Sequence, residues 1–260
     1  MHRGRMNDAR VSARELMKLG QRLNDPRSTG LGLWLLTGIA LLSGDYAGAL
    51  QHSEHALSVA VTALDQDSAI AGRGLALVLL RQVEEGARAL DEYRHRCVSK
   101  GFLYGLLFTD TAVGVCRVLQ GDIGAGIDFI EQYISNFKKD GLQRNIVSAD
   151  ISELYLQIIG GNEKLPFGVL LKNLPILIKV TVTASSRIRT LMADILDNPH
   201  FDPAGFHVGR ARMILGLLYK IKKKRALALE HLTEAQRILS QFGQTPILPR
   251  VETALAELGQ

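Results

Sequence analysis

Small residues recur along the chain at the points where two neighbouring helices would cross. They are Ala49, Ala87, Gly126 and Ala228, and each begins an apolar run with helical spacing. The first three are separated by 38 and 39 residues, and the last follows after 102. A Gly or Ala at a crossing lets helix axes approach closely, while apolar side chains around it fill the groove between helices. The pattern predicts an all-α chain of stacked helix pairs, with room for one divergent unit before Ala228.

One segment carries the most complete version of this pattern. Leu215-Gly216-Leu217-Leu218-Tyr219 is followed by Ala228, Leu232 and Ala235. These residues agree in type and spacing with the tetratricopeptide (TPR) repeat of about 34 residues, in which Gly216 and Ala228 take the two small crossing positions. The chain therefore resembles the TPR family. The resemblance implies a TPR-like right-handed α-solenoid of antiparallel helix pairs.

The same register is less complete upstream. Thr37 and Leu75 stand where the first helix of a repeat normally has its small residue, whereas Gly114 fits that position. The stretch after about residue 142 departs from the pattern. The predicted organisation is TPR-like repeats over 1–141, a divergent helical segment over 142–203, and a TPR repeat with a C-terminal capping helix over 204–260.

Residues that begin and end helices support this layout. Asp25-Pro26, Asp202-Pro203 and Thr245-Pro246 each place an N-cap residue before a proline suited to the first helical position. Ser12 and Glu15 have the spacing of a capping box for the first helix. A long helix over 165–198 is expected to break near Pro175. The predicted helices are 10–24, 26–43, 46–61, 65–80, 83–99, 102–119, 122–139, 142–159, 165–198, 203–220, 224–241 and 246–258.

Three stretches resemble a more particular group of proteins. They are 170–173, 215–225 and 250–259, and they are similar to the C-terminal TPR region of rhizobial-type class III adenylate/guanylate cyclases, in which a cyclase domain and an ATPase-like module precede the repeats. The resemblance implies a sensor or regulatory role attached to a cyclase, with a cyclase or ATPase module as partner. A looser resemblance is to the sensor arms of ATPase-type transcriptional activators, although no helix-turn-helix reader is found.

Residues for catalysis or metal binding are sparse. The sequence contains no Walker A loop and no cyclase segment with metal-binding aspartates. His52 and His55 are spaced as two ligands on one helix, but no third ligand stands at a matching offset. Cys97 and Cys116 are expected to be reduced and buried. We therefore predict a chain that is not an enzyme and that binds neither cofactor nor metal.

Charge is unevenly distributed. The formal net charge is +5, and Gly161 to Arg225 alone contains 12 Lys/Arg and 4 Asp/Glu. Its densest basic patch is Lys222, Lys223, Lys224 and Arg225, at the turn of the best repeat. A solvated turn, an acidic protein partner, and a scaffold for nucleic acid or lipid all remain open. The lack of interleaved aromatic residues disfavours nucleic acid.

The apolar segment Leu165–Ala184 is interrupted by lysines, an asparagine and prolines, so we interpret it as a buried core helix and predict no membrane span. The polar residues after Met1 indicate no signal peptide, and we expect a cytoplasmic protein.

The TPR register also suggests where a partner would bind. The residues that fall on the concave face are Trp34, Phe108, Thr111, Arg210, Met213 and Lys220. Trp34 is the only tryptophan and would be an aromatic anchor for a peptide. The alternative for Trp34 is core packing against the first helix. The predicted function is a non-catalytic module that binds a protein or peptide.

Overall fold

The computed structural model describes residues 6–102, 106, 109–135, 142–161, 167–242, 245 and 247–259, and no strand occurs among them. The helices in chain order are α1 Met6–Arg22, α2 Pro26–Ser43, α3 Tyr46–Ser58, α4 Ala63–Leu79, α5 Val83–Ser99, α6 Asp110–Leu119, α7 Ile123–Ser135, α8 Leu142–Gly160, α9 Phe167–Leu196, α10 Phe206–Ile221, α11 Arg225–Leu239, a 3-10 turn Ser240–Phe242, and α12 Leu248–Gly259.

The chain divides into two compact units between Gln120 and Gly121. In the first unit each helix packs on the next in sequence, from α1 through α6, and α2 also packs on α4. In the second unit α8 packs on α9, α10 on α11, and α11 on α12. This consecutive packing of helix pairs confirms the all-α, solenoid-like fold class. The unit boundary lies between α6 and α7, inside the region 1–141 that the repeat pattern treats as one array.

Small residues are found where helices cross, as the pattern predicts, but one register differs. A Cβ on Gly216 would lie 2.6 Å from Leu232 Cγ, and a Cβ on Gly74 would lie 2.8 Å from Leu90 Cγ. Because the two pairs have the same sequence separation, Gly74 rather than Leu75 takes the small position in the first helix of its pair. The sequence-based register was wrong here by one residue, because Gly86 and Ala87 are both small and either could take the small crossing position of α5.

Thr37 shows how the structure accommodates a larger residue at a crossing. A Cβ on Gly72 of α4 would lie only 2.9 Å from Thr37 Cγ2. The small residue therefore comes from the next helix pair rather than from position 37 itself. The Thr37 hydroxyl donates to the Leu33 carbonyl at 2.9 Å, which satisfies it inside the core.

Helix starts agree with the sequence in part. Asp25 is the N-cap of α2, and its side chain accepts from the Arg27 amide, as predicted. Ser12 instead lies inside α1, which begins at Met6, so the predicted capping box is wrong. Asp202 accepts from the Ala204 amide in a turn, and α10 begins only at Phe206. The capping box that the structure contains, Thr62 with Asp65, was missed.

Other predicted features also have clear outcomes. Helix α9 continues through Pro175, so the predicted break is absent. Pro246 lies outside the described residues, and α12 begins at Leu248. Cys97 and Cys116 are free and buried, as expected. Burial raises the pKa of Cys116 to about 11, which makes its thiol unreactive at neutral pH.

Candidate interaction surfaces

Trp34 lies on the exposed side of α2. Trp34 is 47% exposed, and Leu31, three residues earlier on the same helix, is 49% exposed. The opposite side of α2 carries Leu33 and Leu36, which are buried. The structure thus does not place Trp34 in the core, and it brings together an aromatic and an aliphatic side chain that face solvent.

The other predicted contact residues are less available. Met213 is fully buried, so it cannot reach a partner without repacking of α10. Thr111 is also buried. Phe108 lies outside the described residues. The TPR register places residues on a face by spacing alone, and it cannot distinguish a groove from a covered surface.

Arg210 is occupied by contacts within the second unit. Its guanidinium donates to Asp150 at 2.7 Å and to Glu153 at 2.8 Å, and Arg250 of α12 donates to Glu153 at 2.6 Å. Burial acts to raise the pKa of Glu153, but Arg210 and Arg250 outweigh it and lower the pKa. Arg210 therefore joins α8 to α10, which gives it a structural role rather than the predicted role as a contact.

The end of α10 has a similar arrangement. Lys220 forms an ion pair with Glu257 of α12 and is not free for a partner in this state. Beyond it, Lys222, Lys223, Lys224 and Arg225 are all exposed, and Lys223 takes a left-handed backbone conformation with φ 56° at the turn. Among the described residues none of these four pairs with a carboxylate. The basic patch is therefore solvent-facing, as the sequence suggests.

A cavity of about 490 Å³ lies beside the turn between α9 and α10. Pro199 and Phe201 form part of its lining, together with Arg212 and Glu234. Arg212 also lies 3.2 Å from the Nδ1 atom of His231. The volume of the cavity is in the range of small-ligand sites. Most of its lining comes from residues 196–212, and Glu234 and Arg237 of α11 complete it. The repeat pattern did not predict a cavity at this turn.

Helix α9 departs most from its predicted environment. It is the one helix within the described residues that is long and apolar enough to cross a membrane: an 18-residue window within Gly168–Leu196 has a mean hydropathy of 1.3, and 17% of that window is buried. Leu171 is 58%, Ile178 57% and Val182 75% exposed. The prediction of a buried core helix is therefore wrong for the first half of α9.

A buried asparagine attaches α9 to the start of α7. Asn173 Nδ2 donates to the carbonyls of Gly121 and Val169, each at 2.8 Å, and Asn173 Oδ1 accepts from the Gly124 amide at 3.2 Å. These bonds attach one side of α9 to the start of α7. In the sequence Asn173 stands as an interruption of an apolar run and as part of the stretch 170–173, whereas the structure shows that its side chain bonds to the start of α7.

The described residues include no group of three or more His, Cys, Asp or Glu side chains arranged to hold a metal ion. His52 and His55 on α3 thus have no third ligand among the residues that the structure describes.

Comparisons with known proteins bear on the fold. No protein-family model matches the chain, and no curated protein matches it. Among solved structures it is similar to the crystal structure of BtubC (BKLC) from P. vanneervenii, with a TM-score of 0.55. The two are 13% identical, and the match covers 93% of this chain and 94% of that chain. At this identity the likeness shows the all-α fold and nothing about partners.

Proposed function

We propose that the chain is a non-catalytic helical-repeat module that binds a protein or peptide segment at the α2 surface, defined as Arg27, Leu31 and Trp34. The observation that carries the proposal is the half-exposed Trp34 beside the half-exposed Leu31. Large aromatic side chains contribute strongly to binding when a partner covers them, and tryptophan is enriched among such residues. Arg27 is exposed one turn before Leu31 and adds a positive charge.

The chemistry of this surface suggests the kind of segment it would take. Two apolar side chains in line along a helix fit an apolar residue of an extended or helical peptide. An acidic residue in the same peptide would pair with Arg27. We therefore propose a peptide with an apolar anchor and an adjacent carboxylate.

A regulatory role attached to a cyclase or ATPase module is part of the proposal. It is supported by the resemblance of 170–173, 215–225 and 250–259 to the repeat region of rhizobial-type cyclases. A sensor arm of a transcriptional activator is the alternative for the same fold. An in-frame cyclase segment in the adjoining DNA would favour the first, and an activator module would favour the second.

The α2 surface can be tested with a peptide library. Peptides selected on the purified chain should bind Trp34→Ala at least about 30-fold more weakly, since truncation of an interface anchor removes about 2 kcal/mol or more. Isothermal titration calorimetry measures both chains, and the fluorescence of the only tryptophan reports binding to the native chain and to the control variant. Leu57→Ala, at an exposed position of α3, is the matched control and should bind normally.

The proposal would fail if selected peptides bound Trp34→Ala and the native chain equally well. Thermal unfolding of both variants would show whether a change in binding comes from a change in folding. Production of a cyclic nucleotide from ATP by the purified chain would contradict the non-catalytic part of the proposal.

A further inference from the structure

The first half of α9 has an apolar side without a covering element among the described residues. Leu171, Leu174, Ile178 and Val182 follow one another at intervals of three or four residues, so they lie on one side of the helix. All four are exposed, and Val182 is the most exposed of the large hydrophobic residues named for this helix. At 1.5 Å per residue the row is about 17 Å long. We call it the α9 apolar row.

Basic residues border this row and no acidic residue interrupts it. Lys172 and Lys179 each come one residue after a member of the row, which places them about a quarter turn around the helix. The sequence has no Asp or Glu from Phe167 to Ala193. Lys172 lies 3.8 Å from Asp122, but both side chains are about half exposed or more, so this pair is weak. The border therefore has a net positive charge.

The polar groups on the exposed side of α9 are already satisfied inside the helix. The Thr181 hydroxyl donates to the Leu177 carbonyl at 2.8 Å, and the Thr183 hydroxyl donates to the Lys179 carbonyl at 2.8 Å. These hydroxyls do not need water as an acceptor. The exposed side can therefore enter an apolar environment at low desolvation cost.

We propose that the α9 apolar row lies in the surface of an anionic phospholipid bilayer, with Lys172 and Lys179 at the level of the phosphates. A helix with an apolar side and a lysine border lies in the plane of the membrane interface. The row protrudes from a single helix, and a soft acyl layer accepts such protruding side chains. The positive border selects anionic headgroups.

The same features argue against a helix that crosses the bilayer. Asn173, on the side opposite the row, is bonded to Gly121 and Gly124, so α9 is held against the start of α7. Pro175 has no amide hydrogen, which leaves the Leu171 carbonyl without its usual donor in the helix. Water or a headgroup can satisfy that carbonyl at the interface, whereas the hydrocarbon core cannot.

A second copy of the chain fits the row less well. Two α9 helices that met through this side would bring four lysines together, and α9 has no acidic residue before Asp194 to neutralise them. Like charges at such a contact are unfavourable. Charge thus favours a negatively charged surface over self-association.

Vesicle flotation of the purified 260-residue chain tests this inference. The chain should float with vesicles that contain about 30 mol% phosphatidylglycerol and not with phosphatidylcholine alone, and about 500 mM salt should release it. Lys172→Gln with Lys179→Gln should reduce partitioning about 25-fold, roughly fivefold for each lysine. Ile178→Glu should abolish flotation. Val11→Glu, at a comparably exposed apolar position of α1, should float normally.

Absence of flotation with anionic vesicles would overturn the inference, as would equal flotation of Ile178→Glu and the native chain. Equal binding to neutral vesicles would overturn the role of the lysines. Sedimentation equilibrium would detect a dimer that Ile178→Glu dissociates, and this result would assign the row to self-association instead. Trp34→Ala should float like the native chain. A failure of the proposed peptide binding at the α2 surface can therefore be distinguished from a failure of the proposed membrane contact at the α9 apolar row.

Discussion

The tight helix crossing at Gly216 makes a quantitative prediction about stability. In the substitution Gly216→Ala the new Cβ would lie 2.6 Å from Leu232 Cγ and 3.2 Å from the Leu232 backbone nitrogen. The first contact is with the branch point of a fully buried leucine, not with a flexible chain end. Leu232 must leave its rotamer or α10 and α11 must separate. Overpacking of this kind costs about 1–3 kcal/mol.

A gain in helix propensity opposes this cost. Alanine is favoured over glycine inside a helix by about 1 kcal/mol. We therefore expect Gly216→Ala to lower the free energy of unfolding by up to about 2 kcal/mol. Gly30→Ala in α2 is the control, because its Cβ would meet nothing closer than Val59 Cγ2 at 3.7 Å. That variant should be more stable than the native chain by about 0.5–1 kcal/mol.

Urea unfolding followed by circular dichroism measures both variants, and amide hydrogen exchange in α10 and α11 locates the effect. The double variant Gly216→Ala with Leu232→Ala removes the clashing side chain. It should show a favourable coupling energy of about 1–2 kcal/mol in a double-mutant cycle. A Gly216→Ala chain as stable as Gly30→Ala, or a coupling energy near zero, would refute the crossing argument.

Two further predictions concern charged groups in the second unit. Arg210→Ala removes the cation that Asp150 and Glu153 share, and it should lower the free energy of urea unfolding by about 2–4 kcal/mol. Arg237→Ala, in an exposed pair, should change this free energy by less than about 0.5 kcal/mol. Equal losses would show that the ion pairs of Arg210 stabilise the chain no more than an exposed pair does. Burial, and then the charge of Arg212, lower the pKa of His231 below 6.5. The unfolded chain therefore gains a proton first as the pH falls, and His231→Gln should lessen the loss of stability below pH 6.5; an unchanged pH profile would contradict this.

Features set by neighbouring residues were predictable from the sequence. The Asp25-Pro26 cap is one, because an N-cap carboxylate bonds to an amide two residues later. The small residue at Gly216 is another, because the short turn after α10 sets the point at which α10 crosses α11. The register at Gly74 was missed because it depends on which of two small residues, Gly86 or Ala87, meets α4. The structural role of Arg210 depends on Asp150 and Glu153 of α8, which precede it by 60 and 57 residues. Spacing within its own repeat could therefore not reveal these ion pairs.

The two halves of α9 show why an apolar sequence did not reveal burial. In the second half, buried Leu191 and Ile195 alternate with exposed Arg189 and Thr190, and this helical period could be recognised from sequence. In the first half both sides are apolar, so hydropathy does not distinguish the side held by Asn173 from the side that carries Val182.

A helix that only had to cover its unit would tolerate polar residues on that outer side, as the second half of α9 does at Arg189 and Thr190. The first half instead keeps Leu171, Leu174 and Ile178 in contact with water, which costs solubility and adds nothing to the core. The contrast lies within one continuous helix, so it does not arise from the fold class. It favours a second environment for the first half of α9, and the lysine border makes an anionic surface the environment that fits.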